Sequence, residues 1–425
     1  MTTTLVRNAS QIVTMASGGR PKRGASLADP GVITDGAVLV ADGLISAVGP
    51  EPLLRAQLRP GEAVQELDAA GGIVLPGFVD PHTHLVFAGS RPAEFEARLA
   101  EGRSFTDFIK TGGGAMDTVR ATRAATDEQL IDLVLLRLRR IAEWGTTSAE
   151  VKTGYGLTID EEIRHLRILA AVAPMSPIRV VPTALPAHFR PPDPGVSVEE
   201  YVDAICAELI PLAAREGLAT SVDVFHDPTA YSAGQVRRII RTAQAHGLAA
   251  RIHADQLTDD GGAALAAELD CLSADHLGHI STAGIDALAR CDTVAVLIPG
   301  SLFFVPGEKA APVRAMIDAG VAIGVSTDYT PGTSPVVAMP VALTLAMVLL
   351  KISAAEALAA ATINGAFALG MADRVGSIEP GKQADLVIYE AKDYREIPYR
   401  VGENLVRRVL VKGETILERS AVGPL

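Results

Sequence analysis

Eight short apolar runs alternate with helix-like stretches through the middle of this chain, and this alternation constrains the fold more than any other feature. The runs are continuously hydrophobic, which is typical of strands buried on both faces of a parallel sheet. Eight strand–helix units predict a closed barrel. A doubly wound open sheet is the alternative, but no GxGxxG motif opens any unit. The runs read GIVLPGFVD, TTSAEV, IRVVPTALPA, SVDVFH, AARIHA, CLSADH, TVAVLI and VAIGVSTD.

Both ends of the chain are rich in predicted strands and differ from the middle. Near the start, GAVLVADGLISAVGP contains an Asp-Gly pair between two apolar runs, a strong signal for a β-hairpin. Near the end, GSIEPGKQADLVIYE places a Pro-Gly pair in the order of a type II turn before an apolar strand. We therefore predict an α/β protein, with a (β/α)8 TIM-type barrel over residues 71–370 and a small β-sandwich domain built from residues 1–70 and 371–425.

Composition excludes several classes of function. The 425 residues include 38 Lys and Arg against 50 Asp and Glu, a formal net charge of −12, so we expect no nucleic-acid partner. The most apolar segment, MPVALTLAMVLL, is shorter than the ~20 residues that cross a bilayer and predicts a buried helix. Cys206, Cys271 and Cys291 are too scattered for a disulfide framework or a zinc ribbon. With no apolar signal segment in MTTTLVRNASQIVTM, we expect a cytoplasmic protein without a membrane partner.

The stretch LPGFVDPHTHLVFAGSR ends an apolar run with two histidines, His82 and His84. Residues two apart on a strand face the same side, so both imidazoles can face one point. An isolated pair of this kind is more often two satisfied core histidines than a metal site. The rest of the chain shifts this balance, because six of the nine histidines follow predicted strands, where a barrel collects its chemistry. These six are His82, His84, His188, His226, His253 and His276, and Asp328 follows the eighth strand.

The other histidines have structural interpretations. His246 precedes a glycine in AQAHGL and is expected at the C-terminal end of a helix. His165 is expected on a helix surface, and His279 in a solvated loop. His226 follows the fourth strand, but no role is assigned to it.

His82, His84, His253 and Asp328 form a set of three nitrogens and one oxygen that suits zinc or iron. A metal held this way with an open position lowers the pKa of its water toward ~7 and makes hydroxide available at neutral pH. A carboxylate beside that water, Asp328, can also take and return a proton. Strand four ends in FHDP without a lysine or glutamate to bridge two metals, and Lys152 belongs to strand two. We therefore predict one metal ion per chain.

Almost the whole chain resembles the amidohydrolase superfamily, which has HxH after strand one, His after strands five and six, and Asp after strand eight. Within it, the chain resembles the imidazolonepropionase family through DPHTHLVFAGSR, GGG at 112–114, AEVKTGYGL, SADHL, AVLIPG and TDYTPGTSP. That family opens the ring of 4-imidazolone-5-propanoate in histidine degradation and yields N-formimidoyl-L-glutamate. The resemblance implies a metal-dependent cyclic amidohydrolase with a small anionic heterocyclic substrate, a zinc or iron ion and a homodimeric assembly.

The resemblance also implies roles for individual residues. It assigns the metal to the same four ligands, and it places His276 beside the scissile amide, where an N–H can polarise the carbonyl as a catalytic group together with Asp328. Arg91 suits the propionate, because a guanidinium binds a carboxylate bidentately. Gln256 stands where some relatives have glutamate, and Thr330 where the family commonly has asparagine. The implied substrate contacts are Arg91, Tyr155, His188, Gln256, Thr330, Gly332 and Thr333.

Two rival functions stay open. A ring deaminase of the same superfamily needs no carboxylate clamp, so Arg91 and Tyr155 argue against it. A non-catalytic barrel that has lost its metal is not expected to keep a complete ligand set. The triple glycine at 112–114 is not a phosphate loop, because no Gly-Lys-Ser/Thr follows it, and it suits a flexible flap over the site.

Overall fold

The computed structural model describes residues 3–59, 63–101 and 113–419. Two eight-stranded sheets organise these residues, one mixed sheet built from both ends of the chain and one parallel sheet that curls into a near-closed barrel. The predicted barrel with a small β-rich domain is therefore confirmed. The strands are β1 (Thr3–Val13), β2 (Val32–Ala41), β3 (Leu44–Pro50), β4 (Val64–Asp68), β5 (Ile73–Pro76), β6 (Phe78–Asp80), β7 (Thr146–Lys152), β8 (Arg179–Ala187), β9 (Ser221–Phe225), β10 (Ala249–Ala254), β11 (Ser273–His276), β12 (Val294–Leu297), β13 (Ile323–Val325), β14 (Leu386–Tyr389), β15 (Val406–Val411) and β16 (Glu414–Glu418).

The small sheet has the order β16-β15-β14-β5-β1-β2-β3, and β4 pairs in parallel with β1. β2 and β3 form the predicted hairpin, with Asp42 and Gly43 between them. These two residues have φ angles of 50° and 80°, the positive values that a tight type I′ turn requires. Apolar side chains from both ends of the chain, such as Val6, Ile45 and Leu386, form one buried cluster on this sheet.

The barrel sheet runs from β6 to β13 in chain order, with parallel neighbours throughout. Helices cover it, so these strands are buried on both faces as their continuous hydrophobicity predicted. The helices of this part are Pro92–Glu101, Ala115–Ala124, Asp127–Ala142, Ile159–Val172, Val198–Ala204, Ile210–Arg215, Ala233–Ala245, Gly262–Glu268, Thr282–Ala289, Pro299–Phe304, Val313–Asp318, Met339–Leu350, Ala354–Ala360 and Ile363–Ala368. Helix Glu51–Arg55 lies beside the small sheet, and helix Glu396–Tyr399 packs against Met339–Leu350. Short 3₁₀ segments span Gly24–Ala28 and Ala173–Met175, and a π turn spans Ile205–Leu209.

The run GIVLPGFVD, expected as one barrel strand, is two strands. Its first half, β5, pairs with β1 and β14 in the small sheet, and its second half, β6, pairs with β7 in the barrel. The chain changes sheet at Gly77, where a Cβ would lie 2.2 Å from the Thr147 side chain, so a larger residue would not fit. The small sheet thus extends past residue 70, and the exact limits of the domains stay a prediction.

Asp80, the last residue of β6, joins the first strand of the barrel to the last. Its carboxylate is fully buried and accepts hydrogen bonds from the hydroxyls of Ser326 and Thr327 and from the Thr327 N–H at 3.2 Å. These partners directly follow β13. One carboxylate therefore closes the barrel at the end where the strands terminate.

Two backbone hydrogen bonds continue this closure beyond the strands. The Asp328 N–H donates to the His82 carbonyl at 3.1 Å, and the His84 N–H donates to the Tyr329 carbonyl at 3.1 Å. The segment that carries the two predicted histidine ligands therefore lies directly beside the segment that carries the predicted carboxylate.

Other expectations from the sequence have mixed outcomes. His246 is the C-cap of helix Ala233–Ala245, as predicted. The prediction that His165 lies on a helix surface is wrong, because its helix, Ile159–Val172, buries a wide face and the His165 side chain is fully buried. Burial lowers the pKa of His165 to about 3.

Among the helices described, none combines the length and the hydropathy needed to cross a membrane.

We expect the substitution Asp80→Ala to lower the free energy of unfolding by about 3 kcal/mol, because it leaves the buried hydroxyl and N–H of Thr327 without their acceptor and removes one of the two acceptors of the Ser326 hydroxyl. Urea denaturation measures this loss. Asp132→Ala, on the exposed face of helix Asp127–Ala142, is the matched control and should change stability by less than about 0.5 kcal/mol. Equal stability of the Asp80 variant and the parent would show that this carboxylate does not hold the barrel closed.

Candidate metal centre and active site

The carboxyl ends of the barrel strands meet at one face, and the residues there converge on one point. His82 and His84 follow β6, His253 lies near the end of β10, and His276 ends β11. Asp328 follows β13. Each of these side chains is buried. The convergence that parallel strands predict is therefore present.

Distances within this cluster are those of side chains that face a common centre. His82 Nε2 lies 3.2 Å from His84 Nε2, and Asp328 Oδ1 lies 3.6 Å and 3.4 Å from these two nitrogens. The ring centroids of His82 and His253 are 4.5 Å apart. Ligand-type atoms of His82, His84 and Asp328 lie within 4.8 Å of one another, and so do those of His82, His253 and His276. His276 thus stands beside the four predicted ligands.

The protonation states of three imidazoles in the cluster fit a metal ion. Burial lowers the pKa values of His82, His84 and His276 well below the usual range, so these rings are neutral at pH 7. His82 Nδ1 lies 2.6 Å from Asp275 Oδ2, which places the ring proton on Nδ1 and leaves Nε2 open. His253 Nε2 is buried without a hydrogen-bond partner among the residues described. Open, buried nitrogens are costly unless they bind something, and a metal ion satisfies them.

Two residues of the cluster have unusual backbone conformations. His276 has φ 77° and Asp328 has φ 49°, in the region that side chains other than glycine rarely adopt. Strain of this kind persists where the surrounding structure holds it, and it concentrates at functional sites. The strand ends are therefore bent so that these two side chains point into the cluster.

A cavity opens over the histidines. Its wall contains most of the substrate contacts that the sequence predicts, and Gly332 lies directly behind Arg91. Their roles as substrate contacts stay predictions. The lining residues are His84, Arg91, Ala115, Tyr155, His188, Phe189, Phe225, His253, Gln256, Leu257, His276, Asp328, Thr330 and Thr333.

Arg91 is buried against the turn that follows β13. A Cβ on Gly332 would lie 1.3 Å from Arg91 Nη2, so the guanidinium fills the space that a side chain at this position would occupy. Arg91 Nη1 lies 3.4 Å from Glu94 Oε2, while Arg98 donates to the Gly332 carbonyl at 2.6 Å. In the described part of the chain, Arg91 Nε and Nη1 have no hydrogen-bond partner. A buried guanidinium with open N–H groups suits a carboxylate.

Three further side chains of the cavity wall are held by hydrogen bonds. The Tyr155 hydroxyl lies 2.7 Å from Thr330 Oγ1, which links the loop after β7 to the loop after β13. His188 Nδ1 donates to the Gly154 carbonyl at 3.0 Å, and the His188 ring stacks on His84 with centroids 4.9 Å apart. Burial lowers the pKa of His188 to about 3, so this ring is also neutral.

Two residues after β9 and β10 differ in their relation to the site. His226 does not join the cluster, because its two ring nitrogens lie 2.9 Å and 3.2 Å from the carbonyl oxygens of Tyr231 and Asp260 in two other loops. Gln256 lines the cavity, and the nearby Glu308 carboxyl group accepts a hydrogen bond from the Ser301 hydroxyl at 2.9 Å. Burial raises the pKa of Glu308 to about 7.

The expected flap lies partly outside the described residues, which resume at Gly113. Helix Ala115–Ala124 begins directly after Gly114, and Ala115 lines the cavity. Movement of the triple glycine over the site stays a prediction.

The sequence interpretation missed the carboxylates beneath the histidines. Asp275 contacts His82, Asp223 contacts His253, and Lys152 contacts both carboxylates. A signal was present, because charged or polar residues recur two positions apart within apolar strands, as in Glu150 and Lys152. Such residues share one face of a strand, here the inner face of the barrel.

Known proteins resemble this chain over most of its length. Residues 73–416 match the amidohydrolase family. The chain is 45% identical over 419 residues to imidazolonepropionase of Symbiobacterium thermophilum, covering 98% of each. It is 40% identical over 425 residues to imidazolonepropionase of Solibacter usitatus, covering 99% of this chain and 100% of the relative.

Solved structures with the same fold include two deaminases. Guanine deaminase of E. coli superposes with a TM-score of 0.75 at 19% identity, over 98% of this chain and 100% of that one. An adenosine deaminase of Xanthomonas campestris with bound zinc has a TM-score of 0.72 at 23% identity, over 98% of this chain and 93% of that one. At these identities the likeness concerns the fold alone.

We expect His253→Ala and Asp328→Ala each to remove most of the metal that the chain binds and to leave the barrel folded, because each deletes one of four convergent ligands. Elemental analysis measures the metal and circular dichroism the fold. His246→Ala, at an exposed helix end, is the control and should keep its metal. Two tightly held metal ions per parent chain would contradict the single site.

Proposed function

This chain belongs to the amidohydrolase family and, within it, to the imidazolonepropionases, and we propose that it hydrolyses the ring C–N bond of 4-imidazolone-5-propanoate to N-formimidoyl-L-glutamate, a step of histidine degradation. Amidohydrolases are metal-dependent enzymes. One observation carries the substrate: a cluster able to hold a metal and a buried guanidinium with open N–H groups face the same cavity. A cyclic amide with an anionic tail needs both.

We assign a single metal ion to His82, His84, His253 and Asp328. Three imidazoles and one carboxylate suit Zn²⁺, and iron is the alternative. When bound, the ion lowers the pKa of a water molecule and so supplies a nucleophile near neutral pH. The neutral ring of His82 supports this assignment, and so does the buried Nε2 of His253, which has no hydrogen-bond partner in the described part of the chain.

Arg91 binds the propionate carboxylate of the substrate. Tyr155, His188 and Thr330 surround the ring together with the Gly332–Thr333 turn. Gln256 recognises the planar ring. Its side-chain amide can both donate hydrogen bonds to a planar ring amide and accept them from it.

Hydrolysis adds one water molecule across the ring amide. The water oxygen bonds to the carbonyl carbon, the C–N bond breaks, and the departing nitrogen takes up a proton. His276 donates an N–H to the carbonyl oxygen as negative charge develops there. Asp328 accepts the proton of the water on a carboxylate oxygen and returns it to the departing nitrogen.

The cytoplasmic location and the homodimeric assembly stay predictions. Free thiols at Cys206, Cys271 and Cys291 are compatible with a reducing compartment. The homodimer rests on the family resemblance.

The role of His276 predicts a separation of metal binding from turnover. His276→Asn should keep the metal and lose about 10²–10⁴-fold in kcat, the scale of a lost acid, base or oxyanion donor. Steady-state kinetics and elemental analysis of the same preparation test this. Loss of the metal in the variant would instead identify His276 as a ligand. Its ligand-type nitrogen lies close enough to those of His82 and His253 for this alternative.

The role of Arg91 predicts a dependence on the charge of the substrate. Arg91→Met should lower kcat/KM for 4-imidazolone-5-propanoate by about 10²-fold or more, which corresponds to roughly 3 kcal/mol for a charge-assisted contact. A ring analogue without the carboxylate should be a poor substrate for the parent and respond little to the substitution. Equal turnover of the uncharged analogue and the acid by the parent would favour the ring deaminase instead.

Gly332 offers an independent test of the same contact. Gly332→Ala places a methyl group where Arg91 Nη2 lies, so the guanidinium must move, although no contact to substrate is deleted. We expect a rise in KM for the acid of about tenfold, with a smaller change in kcat. Gly234→Ala, in helix Ala233–Ala245 with open space around it, is the matched control and should leave KM unchanged.

A further inference from the structure

A layer of charged side chains lies inside the barrel beneath the histidines. Each member is at most 1% exposed. All five extend from the inner faces of barrel strands β7, β9, β10 and β11, and ion pairs join them into one connected group. The members are Glu150, Lys152, Asp223, Arg251 and Asp275.

Lys152 lies at the centre of this layer. Its Nζ is 2.7 Å from Glu150 Oε2, 2.7 Å from Asp223 Oδ2 and 3.7 Å from Asp275 Oδ2. The same two Oδ2 atoms lie 3.0 Å from His253 Nδ1 and 2.6 Å from His82 Nδ1, respectively. One ammonium group therefore contacts both carboxylates that contact the rings of two proposed ligands.

Burying the charged side chain of Lys152 has a high energetic cost. A lysine removed from water persists only when its charge is paired and its N–H groups are satisfied. Burial disfavours the charged form, but Asp223, Glu150 and Asp275 outweigh it, so the pKa of Lys152 is raised and the ammonium keeps its charge at neutral pH. A neutral side chain here would leave Asp223 and Asp275 facing each other without the cation between them.

We propose that Lys152 is a positioning residue for the metal site, whose ammonium holds Asp223 and Asp275 so that these carboxylates orient His253 and His82 with Nε2 toward the metal. This inference rests on the proposed function, because it takes both histidines as ligands. Carboxylates in contact with ligand imidazoles fix the ring tautomer and orientation. Lys152 sets two such contacts at once, on ligands from opposite parts of the barrel.

Arg251 supplies a control from the same layer. It pairs with Glu150 at 3.0 Å and donates to the Ala368 carbonyl at 2.7 Å and to the hydroxyls of Ser221 and Ser273. Among the residues that the structure describes, these partners of Arg251 include neither Asp223 nor Asp275. A substitution there removes an equally buried cation of the barrel without touching the carboxylates that face the ligands.

The test compares Lys152→Met with Arg251→Met in the full-length protein. Zinc affinity is measured by competition with a chelator of known affinity, and the absorption spectrum of the cobalt-substituted protein reports coordination geometry without turnover. We expect Lys152→Met to bind zinc about 10–100-fold more weakly and to change the cobalt spectrum. Arg251→Met should keep the parental affinity and spectrum even where its melting temperature falls.

Parental zinc affinity and cobalt spectrum in Lys152→Met, with only a lower melting temperature, would overturn the inference. If that variant does not fold, Lys152→Met combined with Glu150→Gln removes the ion pair at constant net charge, and the same measurements decide. Failure of this second variant to fold would also overturn it, in favour of a purely structural lysine. A parent protein that binds no metal would instead refute the proposed function itself.

Discussion

The joining of the first barrel strand to the last is the constraint on which the site depends. The proposed metal ligands come from both ends of the barrel sequence, so they meet only if the sheet closes. Asp80 brings this about with its bonds to Ser326 and Thr327, and the backbone bonds just beyond place His82 beside Asp328. Closing the barrel therefore also assembles the ligands. Asp80 is two residues from His82, and Thr327 is next to Asp328.

The interior of this barrel is polar where most barrels are packed with branched apolar side chains. Glu150, Lys152 and Arg251 replace apolar volume with charges that stabilise the fold only while every partner is in place. The main hydrophobic core lies outside this layer, in the large cluster between the strands and the outer helices. Stability is thus supplied by the outside of the barrel, which leaves its inside free to orient imidazoles.

The fold and the metal cluster could be predicted largely from the sequence, because continuous apolar runs indicate parallel strands and parallel strands end at one face. What escaped prediction depended on pairings between distant segments. The bond from Asp80 to Ser326 and the contact of Arg91 with Gly332 join residues that a single sequence does not show to be neighbours. His226 follows a strand as the ligands do, yet its ring turns to two loop carbonyls, and no local signal distinguishes it.

The small sheet shapes the order in which the chain acquires its structure. β5 pairs with β1 on one side and with β14 on the other. β14 follows all the barrel strands in the sequence, so it leaves the ribosome after them. Until then the edge of β5 is unpaired, and a free edge invites pairing with other chains. The pairing of β5 with β14 closes a loop that contains the whole barrel sequence, and this closure has an entropic cost. Folding of the barrel lowers that cost because it brings the two ends of the loop closer together. The final strands therefore cover this edge, and a nascent chain truncated before Leu386 would leave β5 unpaired on that side and prone to aggregation.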